Sequence, residues 1–196
     1  ADGTKFGKTE SGTVWLDPAM TSPYAFHQFF LNAEDAKVVE YLKIFTRRSA
    51  EEIEDLARQM REAPHLRAAQ RALADDITDV VHSPAERKAA AAAASAIFGR
   101  EDLGALPEAT LKAVVAELGT PPMRVGEELP TVVEVMATAG VVPSRSAARR
   151  AIDEGGAYLN NAKVTDPEAR LADSDLLYGR YVVVRRGRRT VGALAV

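Results

Sequence analysis

The sequence predicts a mainly α protein that ends in a small α+β domain. Three observations carry this. Apolar residues recur at helical spacing, between recognisable caps, from Ser22 to Gly119. Thr120-Pro121-Pro122 cannot continue a helix, and with Gly126 and Glu127-Glu128 it reads as a linker over 120–128. Beyond it, two short helices give way to strand signals separated by Asn and Gly-Arg turns.

Each element follows from local chemistry. Ser22 is an N-cap, and Pro23 behind it suits the first helical position. Phe26, Phe29 and Phe30 then fall at helical spacing and are expected in the core, as are Val38, Val39, Leu42 and Phe45 of the next helix. Ser49-Ala50-Glu51-Glu52 is a capping box, and Ile53, Leu56, Ala57 and Met60 behind it share one face. Pro64 stops that helix. Leu66, Ala69, Leu73, Ile77, Val80 and Val81 form the following stripe. Ser83-Pro84-Ala85-Glu86 is a second capping box, and it launches the alanine run 89–94. Gly99 ends that helix. Pro107 starts another, carrying Leu111, Val114, Val115 and Leu118, and Gly119 ends it.

After the linker, Thr131 to Ala139 reads as a helix with Val132, Val135, Met136 and Ala139 inward, ended by Gly140. Ser144 caps a second helix, Arg145 to Glu154, closed by Gly155-Gly156. Ala157-Tyr158-Leu159 and Ala162-Lys163-Val164 flank Asn160-Asn161, a pair that tolerates the positive φ of a type I′ hairpin turn. Tyr181–Val184 and Thr190–Leu194 flank Arg185-Arg186-Gly187-Arg188-Arg189, which completes a small, mostly antiparallel sheet.

Composition narrows the chemistry. The 196 residues include no cysteine, which excludes disulfides, cysteine–zinc sites and thiol nucleophiles. No run of apolar residues is long enough to span a bilayer, and the polar first residues carry the expectation that no signal peptide is present. The net charge of −3 hides an asymmetry. Residues 1–128 hold 15 Lys+Arg against 21 Asp+Glu, a balance of −6, whereas residues 129–196 hold 10 against 7, a balance of +3. A basic end on an acidic body points to a localised anionic partner; the plain alternative is a solvated basic surface.

The helix after Ser144 sharpens that reading. Arg145 and Arg149 stand at i, i+4, with Ser146 and Arg150 beside them, while Ala148, Ala151 and Ile152 lie on the opposite side. Guanidinium forks bind phosphate oxygens bidentately, and a helix N-terminus adds backbone N–H donors. Lys163 and the Arg185–Arg189 turn add charge nearby. RNA held through its backbone and shape would suit such a surface. The alternative is a solvated helix whose arginines pair with Asp153 or Glu154. Tyr158 and Tyr181 could stack on bases or lie half-buried in the sheet. His27, His65 and His82 show no metal-ligand spacing and read as packing or surface histidines. Asp75, Asp76 and Asp79 read as the wet face of their helix.

At the other end of the chain, Lys5-Phe6-Gly7-Lys8-Thr9 admits two phosphate-binding readings. A P-loop fails on spacing, because position 2 holds Asp where the first glycine belongs, and no helix follows. The other reading is a short mobile loop whose lysines close on a triphosphate as charge builds on departing pyrophosphate.

Taken together these stretches resemble the bacterial tyrosyl-tRNA synthetase family, C-terminal half. Lys5-Phe6-Gly7-Lys8-Thr9 is similar to that family's version of the Lys-Met-Ser-Lys-Ser signature of class I synthetases. "ESGTVWLDPAMTSPYAFHQFFLNAEDAKVVEYLKIFT" is similar to its run from the signature loop into the helical domain. "AGVVPSRSAARRAIDEGGAYLNNAKVTD" resembles the alpha-L RNA-binding module, with Asn161 where that module often has glycine.

The resemblance implies the tail of a catalytic domain over 1–21, a helical anticodon-binding domain over 22–119, the linker 120–128 and an alpha-L RNA-binding domain over 129–196. It implies tyrosine–tRNA ligation through a tyrosyl-adenylate, with ATP and Mg2+ as co-substrate. Lys8 would contact ATP phosphate, with Gly7 and Thr9 beside it, and Lys5 would assist. Ser144, Arg145, Ser146, Arg149, Arg150 and Lys163 would hold tRNA-Tyr. It further implies a cytoplasmic homodimer and no membrane. The nucleotide-binding Rossmann half of the family is absent from these residues, so the chain is expected to be a fragment, inactive alone. The competing expectation is a stand-alone RNA-binding module without catalysis.

Overall fold

The structure, a computed structural model, describes residues 13–99, 101–119, 123 and 128–196. The chain divides into two compact units, Ala1–Ala91 and Ala92–Val196. The expected linker 120–128 lies outside the described residues except for Met123 and Glu128.

The first unit is helical. α1 (Pro23–Leu31) begins as its sequence dictates, with the Ser22 hydroxyl accepting from Ala25 N at 3.1 Å. α2 (Asp35–Phe45) and α3 (Ala50–Glu62) follow, and both halves of the Ser49–Glu52 capping box are formed. A 3-10 turn (Pro64–Leu66) leads to α4 (Ala68–Val81) through Arg67 in the left-handed region. α4 is the central element and packs against α1, α2 and α3. The core is Phe26, Phe30, Val38, Leu42, Ile53, Ala69, Leu73, Ala74 and Ile77. α5 (Pro84–Ile97) starts in this unit and ends in the second.

Four apolar residues expected in stripes face water instead. Phe29, Phe45 and Leu66 are partly exposed, and Val80 is 73 % exposed. Phe29 and Phe45 flank the buried Phe30, whose ring they touch edge-on, and so lie at the rim of the core. Asp75, Asp76 and Asp79 are not a plain wet face. Asp75 accepts from the buried His27 at 2.8 Å, Asp76 takes both arms of Arg48 at 2.6 and 2.8 Å, and Asp79 pairs with Arg87 at 2.7 Å. These carboxylates tie α1, α5 and the α2–α3 connection to α4.

The second unit surrounds a four-stranded antiparallel sheet, β1 (Ala157–Leu159), β2 (Ala162–Lys163), β3 (Tyr181–Arg186) and β4 (Thr190–Ala195), in the order β2-β1-β3-β4. α7 (Val132–Thr138) and α8 (Arg145–Asp153) cover one face. Val132, Val135, Met136, Ala148, Ala151 and Ile152 pack there on Ala157, Leu159, Val182, Val184 and Leu194. The other face is buried too: Tyr181 is 4 %, Val183 1 % and Ala193 0 % exposed. α6 (Glu108–Glu117) packs against β4 on that side. The Asn161 amide donates to Ala96 O at 2.7 Å, and the Tyr178 hydroxyl donates to Leu106 O at 2.5 Å. Residues 92–99 and 101–119 therefore pack with the sheet. Among the described residues, no helix is long and apolar enough to cross a membrane.

Candidate nucleic-acid interface

The helix pair presents its arginines as the sequence implies. Ser144 caps α8, its hydroxyl accepting from Ala147 N at 3.2 Å and meeting Ser146 Oγ at 3.0 Å. The packed side is Ala148, Ala151 and Ile152, all buried. Arg145, Ser146, Arg149 and Arg150 are exposed.

The arginines differ in what they hold. Arg145 pairs with Glu134 of α7 at 3.2 Å. Arg149 pairs with Glu168, which holds its guanidinium above the ordinary arginine value, first through the hydrogen bond and then through charge. Neither pair is the Asp153 or Glu154 contact weighed from the sequence. Glu134 is engaged on its own account: Thr131 N donates to its carboxylate at 3.0 Å, which lowers its pKa below the usual range. Exposed ion pairs add little stability and exchange readily with other anions, because water and salt screen them. Among the described residues, no carboxylate pairs with Arg150, Lys163, Arg186, Arg188 or Arg189.

Lys163 lies apart from the Ser144 end. A Cβ on Gly155 would stand 2.7 Å from its Nζ, so the ammonium rests over the turn that closes α8. A cation there faces the negative end of the helix dipole. Gly155 has φ +70, which fits glycine at that closure.

Neither tyrosine offers a free ring for stacking. Tyr181 is buried, and the Arg185 guanidinium lies 4.1 Å from the Tyr158 ring centroid. Arg185 is itself 8 % exposed and donates to Gly187 O. The expected turn cation Arg185 is thus a packing residue, and the burial of β3 on both faces is the reason. Lys5, Gly7, Lys8 and Thr9 lie outside the described residues. No group of three or more His, Cys, Asp or Glu that could hold a metal ion occurs among the described residues.

The described residues thus place a helix pair on a small sheet with exposed cations at its rim. The comparisons give the family. Residues 1–99 match the family model for class I tRNA synthetases (W and Y), and residues 114–191 match that for the tyrosine–tRNA ligase SYY-like C-terminal domain. The chain belongs to the class I tRNA synthetase family of the tryptophan and tyrosine type. It is 64 % identical over 194 residues to a tyrosine–tRNA ligase of Cutibacterium acnes, covering 99 % of this chain and 46 % of that protein. It is 57 % identical over 196 residues to that of Kineococcus radiotolerans, covering 100 % of this chain and 46 % of the relative. A truncated mitochondrial tyrosyl-tRNA synthetase from Aspergillus nidulans aligns at TM-score 0.39 and 36 % identity, over 39 % of this chain and 23 % of its own. The chain spans about half the length of the curated relatives it matches.

Proposed function

We propose that the chain is the C-terminal part of a tyrosine–tRNA ligase, which activates tyrosine with ATP and transfers it to tRNA-Tyr. The observation that supports this best is the match of both segments, in order, to a synthetase model and a tyrosine–tRNA ligase C-terminal model. In this reading Lys8 contacts ATP phosphate, Lys5 assists, and Gly7 and Thr9 shape the loop. Mg2+ arrives with ATP as co-substrate. The helical region docks near the anticodon stem, and Ser144, Arg145, Ser146, Arg149, Arg150 and Lys163 hold the tRNA backbone. The intact enzyme works as a cytoplasmic homodimer, and residues 1–196 alone do not activate tyrosine, because a single loop provides no pocket to position it.

Filter binding tests the part this chain supplies. The 196-residue chain binds a tRNA-Tyr transcript with an affinity that falls steeply with salt, and it supports no tyrosine-dependent ATP–pyrophosphate exchange. Absence of tRNA binding at low ionic strength overturns the RNA-binding assignment, and exchange by the chain alone overturns its predicted inactivity.

A further inference from the structure

Strand register gathers a second set of cations away from the Ser144 end of α8. Tyr158 pairs with both Lys163 and Arg185, and Ala157 pairs with Arg186, which pairs in turn with Thr190. The start of β1, the end of β2, the end of β3 and the start of β4 therefore share one end of the sheet. The hairpin tip is fixed there by Gly187 N, which donates to Gly156 O at 2.8 Å. The same Gly155–Gly156 turn closes α8, about 13 Å along the helix from Ser144 at 1.5 Å per residue. Lys163, Arg186, Arg188 and Arg189 are all exposed at this end. The topology also places Glu154 here, at the α8 terminus, and among the described residues it makes no ion pair with any of the four.

We infer that Lys163, Arg186, Arg188 and Arg189 form a separate phosphate-gripping rim, and that this rim rather than the Arg145–Arg149 pair sets the salt dependence of RNA binding. The inference rests on the RNA-binding reading above and assigns its electrostatics to particular residues. A phosphate that approaches Arg145 or Arg149 must displace Glu134 or Glu168, so a cation–anion contact is exchanged for another. A phosphate that approaches the rim displaces only water and small ions. Counterion release from the RNA, which produces the salt slope, is then largest where the protein brings unpaired charge.

The two ends are separated by comparing variants of the 196-residue chain, each checked for unchanged thermal melting, on a tRNA-Tyr transcript across a salt series. The fourfold variant Lys163→Gln, Arg186→Gln, Arg188→Gln, Arg189→Gln should lower the slope of log K against log salt by about three, at 0.7 to 0.9 per phosphate contact. Arg145→Gln with Arg149→Gln should lower it by less than one. Glu168→Gln, which frees Arg149, should tighten binding at low salt. A fourfold variant with the parental slope overturns the rim, even where the unaltered chain binds tRNA well. So does a fourfold variant that loses only adsorption to phosphatidylserine vesicles. No binding by the unaltered chain overturns the RNA-binding reading itself, and the rim with it.

Discussion

Asn160 and Asn161 occupy backbone conformations that few side chains tolerate, with φ of 45 and 69. Each residue is held there by its side chain. The Asn160 carboxamide accepts from Val183 N at 3.0 Å and donates to Asp175 O at 2.6 Å. Asn161 reaches Ala96 O at 2.7 Å, a bond that glycine at the same place could not make. Asn160→Ala leaves the buried Val183 N–H unpaired and puts a Cβ-bearing residue in the left-handed region without local compensation. A loss of about 3 kcal/mol is expected, read as a lowered denaturant midpoint. His82 gives a pH-dependent counterpart. Its ring meets Phe26 edge-on at 4.8 Å, and burial lowers its pKa from the ordinary 6.5. The unfolded chain then takes up the proton more readily than the folded one. The His82 contribution to stability is thus complete above pH 6.5 and falls as pH drops below it. Thermal melts at pH 7.5 and 5.5 should show a smaller acid loss for His82→Gln than for the unaltered chain, and equal losses would contradict the burial argument. At this scale the sequence was informative about caps and the hairpin turn, because those depend on neighbours three residues away or fewer. It was silent about Arg145–Glu134 and Arg149–Glu168, where the partner comes from another part of the fold and no spacing rule links the two.

Whole elements are legible for the same reason. All eight α-helices and four strands described fall where periodicity and terminators put them. The faces were harder, since a 3.6-residue stripe says which side of a helix is apolar and not how wide a neighbour covers it. Val80 lies outside the cover on α4 for that reason, whereas Leu73 and Ile77 lie beneath it. The packing of residues 101–119 on the sheet is a non-local fact of the same kind. So is the cover of the two tyrosines, since Tyr181 is buried and the Arg185 guanidinium lies over the Tyr158 ring. Tight packing on the α7 side yields a sharp test at Gly192. A Cβ there would stand 2.7 Å from Ala139 O and 3.0 Å from both Ala139 Cβ and Val141 Cγ1. The backbone oxygen cannot rotate away, so β4 or the end of α7 must shift. Gly192→Ala is expected to cost about 1–3 kcal/mol, as overpacking does. A chemical denaturation midpoint that does not move would show that this sheet edge yields more easily than its contacts imply.

For the molecule as a whole, charge is distributed unevenly. The acidic first 128 residues, at −6, would repel a polyanion on average, so in the proposed function any RNA contact there would depend on particular geometry rather than on net field. The basic last 68, at +3, would attract it from a distance. Lys5 and Lys8 have a different role in the proposed enzyme. Their charge would act on pyrophosphate as it leaves, an interaction stronger in the transition state than in the ground state, and such an interaction changes the rate of the step and not the affinity for tyrosine. In the longer protein, Lys8→Ala should slow formation of tyrosyl-adenylate by about 100-fold or more, the range for loss of one preorganised charge partner, with the dissociation constant of tyrosine unchanged. Single-turnover kinetics separate these quantities. A normal rate with weakened tyrosine binding would place Lys8 among the ground-state contacts and remove the loop from the chemical step, while leaving the tRNA-binding assignment of the C-terminal unit untouched.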